Sequence, residues 1–146
     1  MYTIQRENYV KTIYRKSRRA TFNLTVHIIF VTKYRRKVLT DPMLTSLERY
    51  YKDILEKWDS DLLEFNGEKD HVHLLIGTKP DKRISDLIAN LKSTSCRRLW
   101  RDYPELSETY WGKKVLWTPS YFVASCGGVT IEQLEQYVKN QDRPEA

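Results

Sequence analysis

The chain is poor in several residue types, and each scarcity closes off a class of protein. Two cysteines in 146 residues, Cys96 and Cys126, are too few for the cross-linked framework of a small secreted domain. They fit reduced thiols in the cytoplasm. No apolar run approaches the ~18 residues that a membrane-crossing helix needs, so no membrane partner is expected. The stretch Met1-Tyr2-Thr3-Ile4-Gln5-Arg6-Glu7 lacks the apolar centre of a secretion signal. Internal repeats and low-complexity segments are missing. Histidine is scarce too: there are three, and two of them, His71 and His73, lie one residue apart.

What is present is a single-domain length with 40% hydrophobic residues, enough for a core without staples. The formal net charge of +6 points to a polyanionic partner. The positive charge is clustered. Residues 1–21 hold Arg6, Lys11, Arg15, Lys16, Arg18 and Arg19 against Glu7, with Tyr2, Tyr9 and Tyr14 between them. This reads either as a solvated tail or as an arm that touches phosphates and stacks on bases. A second cluster, Lys33-Tyr34-Arg35-Arg36-Lys37, follows a strand and reads as a phosphate-tracking patch.

Periodicity places the elements. Residues 23–32 alternate, with Leu24, Val26, Ile28 and Phe30 on one face and Thr25, His27, Ile29 and Val31 on the other, as a central strand does. His27 is expected to be a packed structural residue. Asp41-Pro42 reads as N-cap and first helical residue, followed by a stripe of Leu44, Leu47, Tyr51, Ile54, Leu55 and Trp58. Asp59-Ser60 ends that helix, residues 61–67 form a strand, and Gly67-Glu68-Lys69-Asp70 a hairpin turn. Ile84, Leu87, Ile88 and Leu91 start a second helix running to about Arg101, with Arg97 and Arg101 on one side of it. Residues 102–112 read as loop, and 115–125 as one broken or two short strands around Pro119. Gly127-Gly128 looks like a hinge. Thr130 and Gln133 form a capping box for a last helix with an apolar seam of Ile131, Leu134 and Val138.

The segment Asp70-His71-Val72-His73-Leu74-Leu75-Ile76 organises the rest. Strand alternation points His71 and His73 to one face and Val72, Leu74 and Ile76 to the other. The histidines are then either polar residues on a solvated face or a pair of metal ligands, imidazole being the commonest one. Two ligands do not complete a site. The order strand, helix, strand, strand, helix, strand, helix predicts an α+β, ferredoxin-like antiparallel sheet with two helices on one face and an added C-terminal helix. That last helix is left to cover the histidine face, which brings Tyr137 and Gln141 toward His71 and His73.

His71-Val72-His73 is a His-hydrophobe-His (HUH) motif, followed later by a helix with Tyr137-Val138-Lys139-Asn140-Gln141. With Val31-Thr32-Lys33-Tyr34-Arg35-Arg36 and Trp117-Thr118-Pro119-Ser120-Tyr121, these stretches resemble the single-tyrosine HUH transposases of the insertion-sequence 200/605 family, over residues from about 14 to 142. The resemblance implies a DNA strand transferase acting on single-stranded DNA, with Tyr137 as nucleophile and His71, His73 and Gln141 as metal ligands. It further implies Mg2+ or Mn2+, hairpins at the element ends as bound DNA, and a homodimer. Lys33, Tyr34, Arg35, Arg36, Lys37, Arg97 and Arg101 are the expected nucleic-acid contacts. The chain then divides into a basic arm, 1–21, and a catalytic domain, 22–146, whose tyrosine helix spans 129–142.

The chemistry suits these residue types. A covalent phosphotyrosine conserves the phosphoester for rejoining without an outside energy source. A phenol, with a pKa near ~10, is a poor nucleophile at neutral pH, and a divalent cation compensates by binding the phosphate oxygens. The neutral set His, His, Gln leaves positions open for those oxygens. Imidazoles by themselves favour Zn, Ni or Cu, so the choice of Mg2+ rests on the family. Glu64, Glu68, Asp70 and Glu135 are all close enough in sequence to support a ligand. Two rival readings are a domesticated HUH nuclease tied to repeated palindromes and a non-catalytic basic nucleic-acid-binding module.

Overall fold

The computed structural model describes residues 15–16, 21–22, 24–125 and 131–141. The elements in chain order are β1 (Arg15–Lys16), β2 (Thr21–Phe22), β3 (Leu24–Val31), α1 (Asp41–Lys57), β4 (Asp61–Glu68), β5 (His71–Thr78), α2 (Ile84–Asp102), α3 (Leu106–Thr109), β6 (Phe122–Ser125) and α4 (Ile131–Lys139). Strands β1 and β2 pair with each other. The other strands form one antiparallel sheet in the order β4-β5-β3-β6. This is the expected ferredoxin-like arrangement, with β3 and β5 central. Much of the basic arm, the glycine pair Gly127-Gly128, the Thr130 cap and Cys126 lie outside the described residues.

The alternation in β3 and β5 sorts the sheet into two faces. Register pairs Val26 with Ile76, Ile28 with Leu74 and Phe30 with Val72. Directly paired residues share a face, so these side chains form one apolar surface. Helices α1 and α2 cover it, burying Leu47, Tyr51, Ile54 and Leu55 from one and Leu87, Ile88, Leu91 and Leu99 from the other. Trp117 packs on Phe30 at a ring separation of 5.6 Å, and its indole N–H donates to Ser95 in α2.

Several local expectations need correction. The N-cap of α1 is Thr40, whose hydroxyl accepts from the Met43 N–H at 3.3 Å, so Asp41 and Pro42 already lie in the first turn. The buried stripe of α1 also takes in Met43 and Tyr50, because the helix meets both the sheet and α2. Leu44 and Trp58 are only half-buried. The β4–β5 turn is confined to Lys69-Asp70, since Glu68 pairs with His71 and Gly67 with Val72. Gly67 lies in the strand where α1 packs closely on it: a Cβ would sit 2.5 Å from a Leu44 methyl. The segment 102–112 contains the one-turn helix α3, which buries Leu106.

Candidate active site

The opposite sheet face carries the histidines. Register aligns Glu68, His71 and Val31 in one row, Asn66, His73, Ile29 and Phe122 in the next, and Glu64, Leu75, His27 and Ala124 in the third. His27, His71 and His73 thus share one face, and all three are buried. Phe122 stands two strands from His73 in the same row, about 10 Å away at two strand spacings.

Asp70, at the hairpin turn, is an acid that supports a histidine. Its carboxylate lies 2.8 Å from His71 Nδ1 and 3.3 Å from Arg35 Nε. Burial alone would push the Asp70 carboxyl up, but the bond and charge of His71, with Arg35, hold it below its ordinary value. An ionised carboxylate can only accept, so Nδ1 of His71 is the donor in this bond, and Nε2 is the ring nitrogen left outside it. This is the carboxylate–histidine arrangement that orients metal-binding imidazoles.

The basic turn after β3 is shaped to deliver Arg35. Tyr34 and Arg35 both adopt left-handed backbone angles, with φ of 61° and 54°, a conformation that costs roughly 1–2 kcal/mol for each non-glycine residue. The turn is held by Arg35 N–H donating to the Thr32 carbonyl, Lys33 N–H to that of Leu116, and the Tyr110 hydroxyl to that of Lys33. Arg35 consequently turns inward, with 20% of its side chain exposed. Lys33, Tyr34, Arg36 and Lys37 stay at the surface end of the strand.

His73 bonds to His27, with Nε2 of the first 2.8 Å from Nδ1 of the second. The rings stack at 5.0 Å. Burial, then the neighbouring His27 and His71, pushes the His73 pKa down to about 2. Burial likewise lowers that of His27. Both shifts favour the neutral imidazole, and in the bond between them one ring donates to the other. When Nε2–H of His73 is the donor, its lone pair is at Nδ1. The packed role expected of His27 holds, and a bond to an HUH histidine is added. The sequence signal was its parity with Ile29 and Val31; the pairing partner was not legible.

Tyr137 and Gln141 approach from β6. The Tyr137 ring packs on Phe122 at 5.3 Å. Its hydroxyl is buried without a hydrogen bond among the described residues. Burial raises its pKa, and Ser120 beside it pulls back in part. The Gln141 amide accepts from the Ser120 hydroxyl at 3.2 Å and donates to the Tyr137 carbonyl at 3.3 Å. The C-terminal end of α4 is fixed by Arg35, whose Nη1 donates to the Lys139 carbonyl at 3.2 Å, a favourable place for a cation. Tyr137 and the histidine pair are therefore on one face and joined through Arg35, while the bonds of the Gln141 amide run to Ser120 and its own helix.

The residue types are ones that bind divalent metals: two imidazoles, one backed by a carboxylate, and an amide oxygen on Gln141, close in sequence to Tyr137. Among the described residues no group of three or more His, Cys, Asp or Glu could hold a metal ion. Arg97 and Arg101 lie elsewhere, in the helix layer on the far side of the sheet. With Arg98, Trp100, Cys96 and Lys114 they line a cleft of about 990 Å³. Arg98 pairs with Asp53 and Arg101 with Asp102.

Comparison with known proteins bears on the family and the fold. A family model described as "Transposase IS200 like" matches residues 20–141. The ISDra2 transposase TnpA of Deinococcus radiodurans is 33% identical over 127 residues, covering 87% of this chain and 90% of that protein. The transposase for insertion sequence element IS200 of Salmonella typhimurium is 26% identical over 120 residues, 82% of this chain and 78% of that one. A crystal structure of a Deinococcus radiodurans R1 protein described as a transposase matches with a TM-score of 0.81 and 35% identity, over 89% of this chain and 99% of the other. A REP-associated tyrosine transposase bound to a REP hairpin shares the fold, at a TM-score of 0.53 and 13% identity, over 85% of this chain and 68% of that one. Since the family model spans residues 20–141, from before β3 to beyond α4, this chain belongs to the IS200-like transposase family.

Proposed function

We propose that this transposase cuts and rejoins single-stranded DNA at the ends of its insertion sequence through a 5′-phosphotyrosine on Tyr137, with His71, His73 and Gln141 holding Mg2+ or Mn2+. Family membership favours a transposase over a non-catalytic binding module or a domesticated nuclease. The observation that carries the assignment of residues is Arg35. One guanidinium donates to the carboxylate behind His71 and to the last turn of the tyrosine helix, so it links the nucleophile's element to the metal pair.

In this reading Tyr137 Oη forms a bond to the scissile phosphorus as the P–O3′ bond breaks. The phenol loses its proton to solvent, and the departing 3′-oxygen takes one up. A bound divalent cation would offset charge on the phosphate oxygens and align them. His71 presents Nε2 because Asp70 holds its other nitrogen. Tyr137 is stored rather than presented: its hydroxyl is buried and its pKa raised, so a phosphate reaches it only when α4 shifts. Nine residues make a marginal helix alone, and its position depends on the Phe122, Ser120 and Arg35 contacts, which DNA can compete for. Lys33, Tyr34, Arg36 and Lys37, with Arg97 and Arg101, would bind the strand and its end hairpins. A homodimer would supply two tyrosines for two strand ends.

The test uses single-stranded oligonucleotides carrying the hairpins that flank the gene, incubated with Mg2+ or Mn2+ and run on a denaturing gel. The native protein is expected to give a covalent protein–DNA band. Tyr137→Phe is expected to give none while keeping hairpin affinity, because only the hydroxyl is lost. A covalent band from the Phe variant would remove Tyr137 from the role.

A further inference from the structure

We infer that Trp111, with Arg36 against its ring, is a stacking platform for one unpaired base of the single-stranded substrate. The inference rests on the single-strand reading above and adds a binding position to it. Tryptophans normally bury their indoles. Here Trp117 is 7% exposed and Trp58 and Trp100 are half-buried, whereas Trp111 is 68% exposed. Its backbone is costly as well. Trp111 has a φ of 53° and Gly112 one of 75°, and a bulky residue rarely occupies this region. The turn is closed by Gly112 N–H donating to the Ser107 carbonyl and Lys113 N–H to that of Tyr110. None of these bonds uses the indole, so the turn would form as well, and with less strain, around a small residue.

The ring's described partner is the Arg36 guanidinium, 5.2 Å from its centre. Lys113 and Lys114 follow it, both exposed. The turn after β3 carries a second pair of the same kind: Tyr34, 38% exposed, with the Lys33 ammonium 5.6 Å from its ring. The two turns are tied together by Lys33 N–H on the Leu116 carbonyl at 2.7 Å and the Tyr110 hydroxyl on the Lys33 carbonyl at 3.1 Å. Exposed aromatic faces among cations are what single-strand binding uses, since any unpaired base has a face to stack and its phosphate needs a cation. A base inside a duplex is already stacked and gains nothing. The platform also adjoins the catalytic face: Arg35, between Tyr34 and Arg36, holds Asp70 and through it His71.

The experiment compares the full-length protein with Trp111→Ala and Trp111→Phe. Affinity is measured for a single-stranded element-end oligonucleotide, for the same oligonucleotide with each base removed in turn, and for plain duplex. Trp111→Ala is expected to weaken single-strand binding about five- to a hundredfold, and Trp111→Phe to recover most of it. Duplex affinity and the dependence on salt should stay as in the native protein, because no phosphate contact is lost. One abasic position should reproduce the loss in the native protein and have no effect in Trp111→Ala. Native single-strand affinity in the Ala variant, or an equal loss on duplex, would overturn the platform. The covalent adduct separates the two readings: an adduct in the native protein together with native affinity in Trp111→Ala sinks the platform alone, whereas a native protein that does not bind single strands sinks both. An unchanged melting temperature checks that each variant folds.

Discussion

The two faces of the sheet share the same strands and are built from opposite chemistry. On the helix side, Ile28, Phe30, Val72, Leu74 and Ile76 are all fully buried under two long helices. Each such side chain contributes roughly 1.5–3 kcal/mol by leaving water. On the other side, the same alternation buries His27, His71 and His73 with Ile29, Val31 and Leu75. Buried imidazoles destabilise unless bonded, and here the recorded bonds go to Asp70 and to one another. One face thus stabilises the fold, and the stability it provides offsets the cost of a polar, partly strained face. A protein so divided should respond differently to damage on alternate residues of a single strand.

The sharpest way to break that comparison lies within β5. His71→Ala is expected to abolish metal-dependent cleavage while the melting temperature moves little. Leu74→Ala, three positions on and facing the helices, should cost about 2–5 kcal/mol of stability and leave the folded fraction able to cleave. Urea denaturation run beside the cleavage assay reads both; cleavage surviving His71→Ala would undo the division of labour.

Asp70→Asn probes the link between the faces' shared turn and the site. It removes the charge behind His71 but keeps the shape, and about 10- to 100-fold in metal affinity or cleavage should go with it. Unaltered metal dependence would mean that Asp70 only closes the hairpin.

Acid should act on the histidine face first. Between the ordinary histidine pKa of ~6.5 and the value of about 2 for folded His73, the unfolded chain binds a proton that the folded one does not. Stability therefore rises with pH across that window. Going from pH 7 to pH 5 should lose about 2 kcal/mol from His73 alone, with His27 acting in the same direction. Asp70 adds to the loss at lower pH still. Denaturation midpoints that are flat from pH 7 to 5 would contradict the buried, neutral pair.

The smallest expected effect concerns DNA. Lys33 and Lys37 stand at the end of β3, Arg97 and Arg101 on the far helix layer. If both patches meet phosphate, alanine at any of them flattens the log–log salt dependence of hairpin binding by about 0.7–0.9 per contact. A slope that changes only for the strand-end lysines would confine DNA to the histidine side.

Much of this was legible in the sequence because alternation and helical period act locally. The parity of His71 and His73 against Val72 and Leu74, the stripe of Leu47, Tyr51, Ile54 and Leu55, and the order of elements need no partner to be read. Errors fell where a neighbour decides: Thr40 rather than Asp41 caps α1 because its hydroxyl reaches the Met43 N–H. Met43 and Tyr50 are buried because α1 touches two layers.

Sequence alone, then, determined the faces, the HUH pair and the family to which its motifs belong. Only the tertiary structure decided the partners: Asp70 behind His71, His27 against His73, Phe122 under Tyr137, and Arg35 turned inward to join them. The reason is range. Side-chain direction along a strand is fixed by the residue's own backbone, whereas a hydrogen bond between residues 46 or 104 apart in the chain depends on strand register and on a left-handed turn whose strain is repaid by distant contacts.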